Sequence, residues 1–514
     1  MAENSTSAKL PYPVAHPWMP DQGDGTYRNP VICADYSDPD VIRDGDDFWL
    51  TASSFNCTPG LPILHSRDLV NWTIVNYAIT ANPDPRNVFD VPQHGCGVWA
   101  PAIRKHAGKF WIFFPLPDEG IYVTTADDPR GKWSEPWCLI AGKGLIDPCP
   151  LWDDDGKAYL VHAYANSRCG IKHQLRVRRM SPDAKQLLGE GEVVWNDPTN
   201  HPTCEGPKFH KHNGWYYLSA PAGGVATGWQ LVLRSRNAFG PYEGKVVLAQ
   251  GNTPINGPHQ GAIIDAPDGS WWFLHFQEAQ PYGRVCHLQP MKWENDWPLM
   301  GVNQDANGKG DPVLQYRKPV QGQPAAIPQT SDEFDAPTLG LQWQWHANSK
   351  AGWHALDQRP SHLRLFAKPM PNDFWLQPNL LLQKTPARQF KIRTEVHVKG
   401  TDPHTQAGLI VMGIKHAALA VNGVAPDRRV SLIVHNEVVA SRPIKSCGGI
   451  LELTFHDGGA CNFAFGERGE PLTPIGDSFQ AVEGKWIGAK LGLFCRSLAQ
   501  STDGFVDVDY FRFA

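Results

Sequence analysis

The chain has 514 residues, of which 48 are Gly and 45 are Pro, and a net charge of −5. That length exceeds what one hydrophobic core fills, so two or more domains are expected. No basic run is present and no stretch is long and apolar enough to span a bilayer, so neither a nucleic-acid nor a membrane partner is expected.

The opening stretch, "MAENSTSAKLPYPVAHPW", has no apolar core and no cleavage pattern of a secretory leader. A soluble, cytoplasmic protein is expected. The 11 cysteines run from Cys33 to Cys495 without a CxxC pair or a Cys/His cluster at zinc spacing. Reduced, partly buried thiols fit that distribution.

Five turn-then-hairpin units follow: "DPDVIRDGDDFWL" from Asp38, "APAIRKHAGKFWI" from Ala100, "DPCPLWDDDGKAYL" from Asp147, "EGPKFHKHNGWYYL" from Glu205 and "QGAIIDAPDGSWWF" from Gln260. Each is a small turn, an apolar strand, a polar turn with Gly or Asp, and an aromatic second strand. The starts lie 62, 47, 58 and 55 residues apart, which leaves room for two further strands per unit, such as "GIYVTTADDP" and "RVCHLQPMKW". A four-stranded unit repeated five times around an axis predicts a five-bladed β-propeller; a pair of long β-sandwiches is the alternative.

In a propeller the first strand of each blade lines the central axis, so equivalent positions converge at one end of the channel. Three of the five equivalent positions are carboxylates: Asp38, Asp147 and Glu205, with His259 beside Gln260. Crowded, buried carboxyls raise one another's pKa, so one holds a proton while another stays ionised. Glycoside hydrolysis needs that division of labour. Asp-Pro and Glu-Gly also open ordinary turns, and Asp-Pro recurs at Asp84, Asp128, Asp197, Asp311 and Asp402 with no repeat position. Metal chelation by the three acids is a second reading, although calcium would want more oxygen ligands.

Trp99 precedes Ala100 and Phe55 follows "TASS", which makes both candidates for a sugar-stacking wall. Trp49, Trp111, Tyr217 and Trp271 lie on second strands and read as blade packing. Arg284 falls on the third strand of the last blade, where a guanidinium could hold vicinal hydroxyls or an acidic neighbour.

These motifs, in this order and spacing, resemble glycoside hydrolase family 43 over about residues 25–318, together with "YSDPDVIRDGDDFWLTASSF", "VWAPAIRK" and "GRVCHLQPMKWENDWPL". The resemblance implies a β-xylosidase or α-L-arabinofuranosidase that acts on chain ends and inverts the anomeric configuration. It implies Asp38 as general base, Glu205 as general acid, and Asp147 as the residue that tunes and orients Glu205. It also implies substrate contacts from Phe55, Trp99, His259 and Arg284, with His259 at the pocket floor, in some members near a calcium ion. Ile146 stands where some xylosidases place an aromatic ring. No cofactor is required for that chemistry.

Residues 319–330, within "RKPVQGQPAAIPQT", read as a linker. From 331 to 514, stretches such as "FKIRTEVHVKG" and "GFVDVDYFRF" alternate with period two and predict an antiparallel β-sandwich. It resembles the lectin-like (concanavalin A-like) domain appended to many family 43 β-xylosidases, which closes one side of the pocket. Glu333, Asp335 and Asp509 are candidate ligands for one structural calcium if the terminal strands meet.

The expected substrates are xylo-oligosaccharides or arabinose-substituted xylan fragments, and a homo-oligomer is compatible with the sequence. An endo-arabinanase, an exo-galactanase and a non-catalytic carbohydrate-binding propeller are the alternatives. The last leaves three converging acids unexplained.

Overall fold

The computed structural model describes residues 17–500 and 502–513. The opening stretch that bears on a leader sequence lies mostly outside the described residues.

Five antiparallel four-stranded sheets follow one another, each pairing its strands in sequence order. Blade I comprises Asp40–Asp44, Asp47–Thr51, Gly60–Ser66 and Thr73–Ile79. The inner strands of blades II to V are Ala102–His106, Leu145–Trp152, Lys208–His212 and His259–Asp265.

Apolar residues on both faces of these sheets explain why they stack in a ring. Trp49 and Ile63 of blade I meet Ile103 and Ile112 of blade II. Trp111 and Phe113 meet Leu160 and Met180 of blade III. Val161 and Val177 meet Leu218 and Leu231 of blade IV. Tyr217 and Val232 meet Phe273 and Met291 of blade V. Leu274 and Leu288 then return to Leu50 and Leu64, which closes the circle. Each such side chain contributes about 1.5–3 kcal/mol when fully buried. The aromatic second strands thus serve as blade packing. Arg43 Nε, 3.1 Å from Asp265 Oδ2, adds an ionic clasp between blades I and V.

The segment after blade V forms no regular strand over 318–330, yet it is held to blade I. Ala326 N–H donates to Asn71 Oδ1 at 2.9 Å, and the Gln329 amide bonds both the N–H and the C=O of Ile74 at 3.2 and 3.0 Å.

The remaining residues form a seven-stranded and an eight-stranded sheet. Along Phe390–Lys399, residues 390, 392, 394, 396 and 398 are buried while 391 and 399 are exposed, the signature of a sheet with one covered face. Thr405–Met412, in the centre of the other sheet, is buried almost throughout. Its second face is covered by Phe374 and Leu380.

The terminal segments of the sandwich do meet, through an antiparallel bridge between Asp332 and Phe511. The expected calcium set does not form there. The Glu333 carboxylate is taken by Arg512, Asp335 is exposed, and Asp509 lies 4.0 Å from His362. Among the described residues, no group of three or more His, Cys, Asp or Glu is arranged to hold a metal. An arginine that neutralises Glu333 removes the charge a cation would need.

The two domains share backbone hydrogen bonds. Thr58 and Trp345 exchange N–H···O bonds of 3.0 and 2.6 Å, and the His94 ring stacks on Trp375 at 3.5 Å. Asp35 is 3% exposed. Its carboxylate accepts from Arg284 N–H at 2.9 Å and from Gly488 N–H of the sandwich at 3.0 Å.

Candidate active site

The inner strands deliver their N-terminal ends to one mouth of the channel. Asp38 and Asp147 adopt left-handed backbone, with φ of 55° and 56°, and Gln260 lies at 35°. Such a conformation costs a non-glycine residue on the order of 1–3 kcal/mol and persists where surrounding structure imposes it. In blade III the strain coincides with a break in strand register between Ile146 and Cys149, and in blade V with one between His259 and Gly261. Bulges of this kind re-aim a side chain. In blade IV the left-handed position is Gly206, at 61°, immediately after Glu205, where glycine adopts it without strain.

Asp38 is 4% exposed. Its Oδ2 accepts from Ser37 Oγ at 2.8 Å and Ser53 Oγ at 2.6 Å, and Arg284 Nη1 lies 3.2 Å from Oδ1. Arg284 Nη1 also donates to Ser37 Oγ at 2.8 Å. Asp147 is 2% exposed, and its Oδ2 accepts from the Gly206 N–H at 2.7 Å, which sets it against the Glu205 backbone. Burial first, and then the Glu205 and Asp38 carboxylates, hold the Asp147 carboxyl well above the usual carboxylate range; the Gly206 N–H and Lys208 oppose this. Glu205 Oε1 lies 3.3 Å from His259 Nε2. Three acids from three blades therefore share one electrostatic neighbourhood.

Phe55 and Trp99 also come together, with ring centroids 6.5 Å apart. Between them runs Gly97, at φ 84°, where an added Cβ would stand 2.1 Å from the Phe55 carbonyl oxygen. Gly97→Ala is expected to destabilise the protein by about 1–3 kcal/mol from backbone strain alone. Urea denaturation measures this, and an unchanged midpoint would contradict the tight approach. Ile146 belongs to the core between blades.

A cavity of about 680 Å³ opens from Arg284 between the rim of blade V and a sandwich loop, lined by Asn256 and Glu278 on one side and Ile414, Lys485 and Trp486 on the other. The sequence reading missed Trp486, Asp35, Ser37 and Ser53 as site residues. The motif "YSDPDVIRDGDDFWLTASSF", which contains Ser37 and Ser53, offered a local signal for those two alone. At His259, Nε2 faces Glu205 and Nδ1 is buried without a protein partner.

The sequence model of glycosyl hydrolases family 43 matches residues 27–298, and that of the β-xylosidase C-terminal concanavalin A-like domain matches residues 331–514. The chain belongs to glycoside hydrolase family 43. A Xylanibacter ruminicola protein provisionally named a β-xylosidase is 42% identical over 92% of this chain and 86% of its own length. A β-xylosidase of Formosa agariphila is 32% identical over 96% and 91%. The structure of a family 43 protein from the xyloglucan locus of Bacteroides ovatus superposes with a TM-score of 0.83 at 25% identity, covering 95% of this chain and 99% of that one. This family 43 chain is thus a glycoside hydrolase with a five-bladed propeller and a C-terminal sandwich.

Proposed function

We propose that the protein is an inverting exo-glycosidase that removes terminal xylose or arabinofuranose from hemicellulose-derived oligosaccharides. One observation carries this reading: carboxylates of blades I, III and IV converge, and each has different partners. Asp38 faces two hydroxyls and a guanidinium, a donor set suited to a carboxylate that takes a proton from water. Glu205 is the most accessible of the three, with a side chain 23% exposed, and can reach a glycosidic oxygen. In a single displacement Glu205 protonates the leaving oxygen while water, deprotonated by Asp38, attacks the anomeric carbon from the opposite face. Asp147 stands behind Glu205 and orients it through the Gly206 turn. Arg284 fixes Asp38 and reaches the cavity, where it can bond sugar hydroxyls. In this reading the paired rings of Trp99 and Phe55 supply the apolar wall for the sugar.

The sandwich loop packs against the rim of blade V beside Arg284, which favours action at chain ends over an open endo-acting groove. The names of the relatives support a pentose as the released sugar. The test is hydrolysis of p-nitrophenyl β-xyloside and α-L-arabinofuranoside, followed by NMR of the first sugar released. Release of the inverted anomer is expected. Retention would sink the single displacement, and inertness toward both glycosides combined with tight sugar binding would favour a lectin.

A further inference from the structure

We infer that Arg168 is a positioning residue for the pocket's aromatic wall; this rests on the reading of Trp99 as part of that wall. Arg168 lies on a one-turn helix, Asn166–Cys169, that follows the second strand of blade III, whereas Trp99 belongs to the loop entering blade II. The two converge on one acceptor. Arg168 Nη2 donates to the Gly95 carbonyl at 3.0 Å, and Trp99 Nε1 donates to the same oxygen at 3.2 Å. The guanidinium carbon lies 5.0 Å from the Trp99 ring centroid, within cation–π range.

The rest of the guanidinium is occupied in ways that hold it there. Nε lies 3.4 Å from Asp118 Oδ1, Nη1 donates to Ser167 Oγ at 3.1 Å, and Nη2 also contacts Cys96 Sγ at 3.6 Å. With all its donor groups turned to protein, Arg168 has little left with which to contact substrate. Its base is pinned as well: Ala165 N–H donates to Gly144 O at 2.9 Å, and an added Cβ at Gly144 would meet Cys169 Sγ at 2.5 Å.

Gly95 makes this clamp matter beyond one ring. An added Cβ there would stand 2.7 Å from Lys485 Cγ and 3.1 Å from Trp486 Cδ1. The glycine whose carbonyl holds Arg168 and Trp99 is therefore also the seat of the sandwich loop that walls the cavity. An Asp118–Arg168 pair acting only as a surface ion pair would contribute little and leave sugar binding untouched. A clamp on Trp99 changes binding specifically.

The experiment compares wild type, Arg168→Ala and Arg168→Lys on the p-nitrophenyl pentoside that wild type cleaves. Arg168→Ala is expected to raise KM by about threefold to tenfold, the range of one lost aromatic stacking geometry, with kcat nearly unchanged and an unaltered melting temperature. Arg168→Lys keeps the charge but cannot bond Gly95 and Asp118 together, so its KM should fall between the two. Millimolar guanidinium should lower the KM of Arg168→Ala and leave that of wild type alone. Unchanged KM in both variants would overturn the inference, as would a KM rise that only tracks a fall in melting temperature. Wild type inert on both glycosides would overturn the proposed function instead. The clamp is then judged from the crystal structure of Arg168→Ala, in which a Trp99 ring still bonded and ordered as in wild type refutes it.

Discussion

Replacing Glu205 by alanine is expected to lower kcat on xylobiose or an arabinosylated xylo-oligosaccharide by about 10²–10⁴-fold, the usual contribution of a general acid. On an aryl glycoside with a good leaving group the loss should be much smaller, because that oxygen needs little protonation to depart. The fold should survive, since the Glu205 side chain is 23% exposed and its side-chain contact is with His259. Asp38 should behave differently. Its loss should impair natural and activated substrates alike, because water must be deprotonated whatever leaves. Asp38→Ala also carries a structural cost. Arg284 and Asp38 have side chains only 9% and 6% exposed, so alanine would strand a buried guanidinium, at a cost of about 3–5 kcal/mol. Asp38→Asn is the better variant, because it keeps the hydroxyl and guanidinium contacts in shape. Equal losses on both substrate types for Glu205→Ala would remove that residue from the role of acid.

Asp147→Asn is expected to stabilise the protein while it disables the enzyme. In the unfolded chain Asp147 ionises near the ordinary aspartate value of 3.8; in the folded chain burial, then Glu205 and Asp38, hold its proton to higher pH. Between those two values the folded state binds more protons than the unfolded one, so stability falls as pH rises through the window. Asparagine has no proton to lose, yet its oxygen can still accept the Gly206 N–H. Its stability should therefore stay flatter over that range and exceed wild type at neutral pH. A gain of about 1–2 kcal/mol is typical of relieving a functional site. Each kcal/mol corresponds to about 1–2 °C in melting temperature for domains of this size. Activity should fall by at least about 10²-fold. Melting curves of both proteins from pH 4 to pH 8 check the sign. Parallel pH profiles would mean that the proton on Asp147 is no more tightly held in the fold than outside it.

The two predictions describe one arrangement. Asp147 pays in stability for standing behind Glu205, and Arg284 exists in its buried place because Asp38 neutralises it. An ordinary core would contain neither.

What the sequence determined by itself was the repeat and its register. Five apolar hairpins with aromatic second strands encode blades locally, because strand alternation and turn chemistry act over a few residues. Once the repeat is recognised, symmetry brings Asp38, Asp147 and Glu205 to one mouth, and the family motifs add Arg284 and His259. The period-two stretches after residue 331 encode the sandwich in the same local way. Only the tertiary structure decided how these parts are held. Asp35 reaches Arg284 across 249 residues and Gly488 across 453, and Arg168 meets Gly95 across 73. The left-handed backbone of Asp38 and Asp147 is only weakly signalled by residue type, since Asp visits that region more often than most but rarely without surrounding structure to impose it. Glu333 looked like a calcium ligand by composition, yet Arg512, 179 residues away, had already claimed its charge. Local periodicity carries no information about which distant side chain will arrive to satisfy a buried group, and that pairing is settled only when the chain has closed on itself.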